Sequence, residues 1–254
     1  MQRTKFLILL GIAIALSLLV KFLFPQHISQ KLTASCDNDI CQPQAVVVLH
    51  GLVRSSASMG KISRAINNAG YTVCNIQYPS RQYSIQKLAS DYVLPEIQQC
   101  LPDGQQQINF VTHSMGGIIL RQLARSTELN IGCAVMLSPP NQGSELVDKL
   151  KIIPFFKLIN GEAGLSLGTK NNSVPNSLGR VNFDLGVITG DRSYNPLYSY
   201  LIPGADDGKV SVNRAKIKGM KDFLVIPYSH SFIMNSKIAI KQTINFLQSS
   251  QFIR

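Results

Sequence analysis

The sequence predicts an α/β domain: a mostly parallel sheet of about six strands, with helices on both faces. Three observations predict it. Short apolar, β-branched runs recur from residue 45 onward, separated by segments whose apolar residues fall at helical spacing. The runs are continuous rather than alternating, which is the pattern of strands buried on both faces. One of them leads through a single tight turn straight into a helix. Strands that alternate with helices pair in parallel through crossovers, and such crossovers are right-handed.

The elements follow in chain order. Ala45–Leu49 reads as the first strand. Ser58–Asn68 places Met59, Ile62, Ala65 and Ile66 on one helical face and stops at Gly70. Tyr71–Ile76 is the second strand. Ser84–Gln99 is the second helix, with Ile85, Leu88, Tyr92 and Ile97 along one side and a bend expected at Pro95. Ile108–Thr112 is the third strand and Met115–Arg125 the third helix. Cys133–Leu137, Leu185–Thr189 and Phe223–Ile226 complete the sheet, and a last helix is expected from Phe232 to Leu247. Residues 141–182 break the rhythm. Ser144–Leu150 and Pro154–Leu158 have short helical patterns, and Gly161 to Arg180 is polar and rich in Gly and Asn. An excursion of this length in a compact domain is either a lid or substrate wall, or a variable surface loop.

Ahead of the domain, Arg3 and Lys5 precede an apolar run from Phe6 to Val20, which Lys21 interrupts and Phe22–Phe24 extends to Pro25. If Lys21 snorkels, the run Phe6–Phe24 within segment 1–24 reaches the about 17–25 residues of a membrane anchor. The other reading is a cleaved signal peptide, whose apolar region is about 7–15 residues long. The lack of a clean A-x-A site favours the anchor. Both readings keep the basic end in the cytoplasm and export the rest. Residues 25–44 then form a linker and residues 45–254 an exported domain, on the periplasmic side of an inner membrane or secreted.

Lys plus Arg number 25 against 14 Asp plus Glu, a formal charge of +11. The basic residues are scattered, without a dense run or a nucleic-acid-binding signature, so nucleic acid is not an expected partner. The charge serves solubility or attraction to acidic lipid head groups. Five cysteines leave at least one free or paired between chains. Cys36 and Cys41 flank a short polar loop and could close a small ring in an exported protein. Cys74 and Cys133 lie in apolar strand runs and are expected as buried free thiols. No spacing suggests zinc.

The strongest chemical signal is Phe110-Val111-Thr112-His113-Ser114-Met115-Gly116-Gly117. A buried strand meets a helix here, with Ser114 at the tip of the turn. Gly116 and Gly117 supply the small neighbours that a strained turn requires, and the helix start favours negative charge beside the hydroxyl. A serine nucleophile needs a base, and the base needs an orienting acid. Of the four histidines, His27 lies in the linker, His50 follows the first strand and His113 is fixed beside Ser114. His230, between the sixth strand and the last helix, remains as the base. The candidate acids are Asp207, its neighbour Asp206, and Asp191, which directly follows the fifth strand.

Thr112-His113-Ser114-Met115-Gly116 resembles the G-x-S-x-G nucleophile elbow of the α/β-hydrolase superfamily, with Thr at the first Gly position. The resemblance extends over roughly Ala45 to Phe246, without the first strands of larger members. It implies the α/β-hydrolase fold and the order Ser, acid, His, which Ser114, Asp207 and His230 satisfy. His50-Gly51-Leu52 resembles the family's oxyanion turn, which implies backbone N–H donors at Leu52 and Met115. The Gly204-Ala205-Asp206-Asp207-Gly208-Lys209-Val210 stretch is similar to the acid loop of many lipases, which implies Asp207 as the acid ahead of Asp191 and then Asp206. Ser138 to Ser144 resembles lipase-type members, including bacterial relatives of GPI-inositol deacylases. The family likeness thus implies an esterase or lipase acting on an ester or lipid-like substrate, with no metal or organic cofactor. Acyl transfer by the same three residues is the alternative enzyme activity. A non-catalytic, membrane-tethered binding module is the alternative of another class.

Overall fold

A computed structural model describes residues 45–101 and 107–254. The N-terminal segment 1–24, the linker 25–44 and the Cys36–Cys41 ring lie outside the described residues. Six strands form one sheet: β1 (Ala45–Leu49), β2 (Thr72–Ile76), β3 (Ile108–His113), β4 (Ile131–Leu137), β5 (Asp184–Gly190) and β6 (Asp222–Ile226). Their order is β2-β1-β3-β4-β5-β6, and every pairing is parallel.

The continuous apolar runs are explained by two buried faces. Successive strand side chains point to opposite sides. Val47, Leu49, Phe110, Met136 and Val187 therefore pack on one face, while Val46, Val48, Val111, Val135 and Ile188 pack on the other. On the second face lie α1 (Gly60–Asn68), through Ile62 and Ile66, and the last helix (Lys237–Ser249), through Ala239, Phe246 and Leu247. On the first lies a helical run of three parts: α2 (Ile85–Lys87), a π segment (Leu88–Val93) and α3 (Leu94–Cys100). Beside it packs α4 (Met115–Ser126).

Several expectations are refined. The helix expected to bend at Pro95 instead widens into the π segment just before it. A proline has no N–H for the carbonyl four residues back, and its ring crowds that carbonyl. The wider turn makes room, and π segments of this kind interrupt α-helices in single turns. Within residues 141–182 the helices are α5 (Glu145–Leu150), α6 (Pro154–Leu165) and α7 (Val174–Ser177). The second runs past its expected end and breaks at Gly161, whose φ is +62°. Two more helices, α8 (Pro196–Leu201) and α9 (Val212–Ala215), fill the β5–β6 connection. They are too short for a periodic signal. The last helix, here α10, starts at Lys237 after a 3-10 turn over Ile233–Asn235.

Arg121 of α4 fastens the excursion to the domain. Its guanidinium is buried and donates to the carbonyls of Asn141, Pro175 and Gly179 at 2.8, 2.7 and 2.8 Å. Burial pulls its pKa down to about 10, so it stays charged at neutral pH.

The cysteine expectation is corrected at Cys74. It forms a disulfide with Cys100 across a Cα–Cα distance of 6.2 Å. Cys74 on β2 faces the helical run that covers that edge of the sheet, whose last residue is Cys100. Cys133 is the buried free thiol that was expected, and burial pushes its pKa up to about 12. Among the described residues no helix is long and apolar enough to cross a membrane.

Candidate active site

The chain leaves β1 toward β2 on one side and β3 toward β4 on the other. Loops at the C-terminal ends of two such neighbouring strands diverge and leave a crevice, where open parallel sheets bind their ligands. Ser114 follows β3 directly, and its φ and ψ of 53° and −122° are strained for any residue with a side chain. Its backbone N–H donates to Leu137 and its carbonyl accepts from Gly117, which locks the turn. Gly116 is required by space: a Cβ there would lie 2.7 and 2.8 Å from the carbonyl oxygens of Leu49 and His50.

Three of the sequence-predicted residues meet in one buried chain of hydrogen bonds. His230 Nε2 lies 2.9 Å from Ser114 Oγ, and His230 Nδ1 lies 2.9 Å from Asp207 Oδ2. An ionised carboxylate only accepts, so the Nδ1 proton faces Asp207 and Nε2 is left to accept from the serine hydroxyl. The other Asp207 oxygen accepts from the N–H groups of Lys209 and Val210 at 3.0 and 2.9 Å. Burial alone would raise the Asp207 carboxyl. The charge and hydrogen bond of His230, with help from Ser138 and the Val210 N–H, outweigh it and hold the group below the ordinary carboxylate range.

The rival acids are placed elsewhere. Asp191 pairs with Arg192 at 3.6 Å, and its N–H donates to Ile226. Asp206 accepts from Ser199 Oγ and from the Gly208 N–H, as a turn residue does. The other two described histidines brace the site. His50 stacks on Tyr78 with ring centroids 4.0 Å apart, and the Tyr78 hydroxyl donates to the His50 carbonyl. This fixes the turn that carries Leu52 and Val53. Val53 is β-branched yet has a φ of +57°, a strained value, and its N–H donates to Ser80 Oγ. His113 Nε2–H donates to the His230 carbonyl at 2.9 Å, tying the Ser114 turn to the His230 loop. Burial and the neighbouring His230 push the His113 pKa well below its usual value, so it stays neutral.

Beside Ser114 and His230 opens a cavity of about 270 Å³, mostly apolar. Leu52, Leu146, Val147, Phe156, Ile159 and Leu167 are among its walls. Four of these six come from α5 and α6, so the excursion builds one wall of the chamber. The Met115 N–H opens α4 and is one of the helix-start donors without an intrahelical partner. Sequence reasoning missed Arg54 and Lys209 at the chamber mouth, and Ser138, whose φ is +51° behind Asp207. Lys209 and Ser138 lie inside stretches quoted for the family likeness, which gave them no role of their own, and Arg54 belongs to no motif. Among the described residues no group of His, Cys, Asp and Glu side chains could hold a metal ion.

Residues 44–157 match the alpha/beta hydrolase fold family. No curated protein sequence matches the chain. Its structure is similar to the mature Bacillus licheniformis lipase, with 18% identity over 84% of this chain and 96% of the lipase, at a TM-score of 0.61. A metagenomic carboxyl esterase is similar over 86% of this chain and 78% of its own, with 17% identity and a TM-score of 0.62. A phospholipase from Legionella pneumophila is similar at 19% identity and a TM-score of 0.65, covering 82% of this chain. The chain spans only 60% of that phospholipase's length. At such identities the likeness is one of fold.

Proposed function

We propose that the chain is a member of the α/β-hydrolase superfamily and that it cleaves carboxylic esters with Ser114 as nucleophile, His230 as base and Asp207 as orienting acid. The observation that carries this reading is the unbroken hydrogen-bonded chain Ser114 Oγ–His230–Asp207, each link 2.9 Å, opening onto an apolar chamber.

Ser114 Oγ attacks the ester carbonyl carbon, and its proton passes to His230 Nε2. The carbonyl oxygen takes up the displaced electron pair and is stabilised by the backbone N–H groups of Leu52 and Met115. Losing one donor of this kind costs about 10²–10³ in kcat. Asp207 stabilises the imidazolium without taking its proton. The intermediate collapses, the C–O bond to the alcohol breaks, and His230 returns its proton to the leaving oxygen. Water then repeats the sequence on the acyl-enzyme, releasing the acid and restoring Ser114. The apolar chamber supports an acyl chain as its occupant, because burying each CH₂ is worth about 0.8 kcal/mol.

The same reading sets the domain outside the cytoplasm. The Cys74–Cys100 disulfide supports it, because such bonds persist in oxidising compartments. The basic start and apolar run of residues 1–24 support it too, as an anchor or a cleaved segment.

The test is hydrolysis of p-nitrophenyl esters of increasing acyl length by the wild type and Ser114→Ala. Wild-type turnover that falls by about 10⁶ in the variant is expected. Near-normal cleavage by Ser114→Ala would overturn the proposal.

A further inference from the structure

Two cations stand at the mouth of the Ser114 chamber without an acidic partner. Arg54 reaches over from the turn after β1, and its Nη2 donates to the Ser231 carbonyl at 3.2 Å, beside the base. Lys209 follows Asp207 by two residues and also lines the chamber. Among the described residues no carboxylate lies within 4.0 Å of either side chain. No carboxylate lines the chamber, nor the adjoining polar cavity of about 510 Å³ that Arg54 shares with Arg81. Asp207, the nearest acid to Lys209 in sequence, is committed to His230.

Lys209 remains open to solvent at the mouth but is crowded. Crowding lowers its pKa and the Arg54 charge lowers it further, against a smaller opposing pull from the Asp207 charge. The same two cations also bear on His113, next to the nucleophile. Like charges held together in a half-desolvated cleft repel one another, and a bound anion removes that repulsion. A cleft of one sign with low-dielectric walls also concentrates ligands of the opposite sign. The apolar wall and the cationic mouth therefore match the two ends of an amphiphilic anion.

We infer that the chamber selects an ester carrying an anionic group, with the chain among its apolar walls and the anion held by Arg54 and Lys209. This deepens the ester-hydrolase reading and rests on it for the ester alone; the anion site stands on the two cations. A phosphate or a carboxylate could supply the charge.

The test measures binding first, with probes that carry no carboxylic ester to cleave. Decyl phosphate, decanoate and decanol are titrated calorimetrically into the full chain, below any micelle concentration. Decyl phosphate or decanoate should bind one per chain, about 10- to 100-fold more tightly than decanol, since bonds to charged groups are worth about 1.5–3 kcal/mol. Whichever of the two is tighter identifies the group. Arg54→Gln and Lys209→Gln should each weaken it about tenfold, and Lys241→Gln, exposed on α10, should not. The anion preference of the wild type should shrink as salt rises, which needs no variant to fold. Equal binding of the anions and decanol, or affinity unchanged in both mouth variants, would overturn the inference.

The second arm compares turnover of 1-decanoylglycerol and its 3-phosphate. A higher kcat/KM for the phosphate, lost in the two variants, is expected. Cleavage of neither ester, with anion binding intact, would end the hydrolase reading while leaving the anion site in place.

Discussion

Replacing both Cys74 and Cys100 by serine should cost the domain about 3.5 kcal/mol. The two residues are 26 apart in sequence, joining an edge strand to the end of the helical run beside it. A cross-link of that span removes about 12 cal/mol/K of chain entropy from the unfolded state, which is about 3.5 kcal/mol at 25 °C. For a domain of this size each kcal/mol moves Tm by about 2–4 °C, so a fall of about 7–14 °C is expected. The assay is thermal and urea unfolding of the double variant beside the wild type, with ester turnover measured well below either midpoint. Turnover should be nearly unchanged, because β2 contributes none of the three reacting side chains. A Tm within about 2 °C of the wild type would refute the reasoning. So would alkylation of Cys74 and Cys100 in unreduced, denatured protein.

Further predictions test the site and its supports. Asp207→Asn should lower kcat by about 10⁴, as loss of the orienting acid does in other triads, whereas Asp191→Asn should change it less than about threefold; steady-state kinetics on both variants separates the acids. Because the folded pKa of Asp207 is depressed, its contribution to stability is present above the unfolded value near about 3.9 and lost as pH falls through the folded one. The stability gap between wild type and Asp207→Asn should therefore narrow on acidification, read from urea midpoints across that range. Gly116→Ala should push β1 and the Ser114 turn apart and cost at least about 10² in kcat, since small misplacements of a nucleophile have that effect; near-normal kinetics would contradict the packing seen there. Arg121→Met leaves three carbonyls without their donor, those of Asn141 and Pro175 buried, and should speed amide exchange across residues 141–182, with a raised KM for long-chain esters.

Much of this was legible in the sequence because the signals were local. A strand buried on both faces must be apolar throughout, so Ala45–Leu49 and Cys133–Leu137 announced a parallel sheet. Ser114 was legible because the turn forces small residues beside it, and Gly116 shows why in its approach to Leu49 and His50. His230 was reached by elimination among four histidines, a route open only because histidine is rare here. What the sequence left open was set by distance in space. Asp207 and Asp191 both follow β5, and only the folding of the segment between them, which carries α8, brings Asp207 under His230. The Cys74–Cys100 bond joins an edge strand to a helix end, a pairing no spacing rule encodes. Arg54 and Lys209 come from two loops 155 positions apart; Arg54 belongs to no motif, and the acid-loop stretch that contains Lys209 points to Asp207 alone. Pro95 signalled a disturbance of the helix but not its form, a π turn over Leu88–Val93.

The central claim is that Ser114 is a nucleophile activated by His230. Its most direct test is treatment of the full chain with a fluorophosphonate, followed by peptide mapping by mass spectrometry. One adduct is expected, on Ser114, and it should be lost in His230→Ala. An unmodified Ser114, or an adduct that persists undiminished without His230, would contradict it.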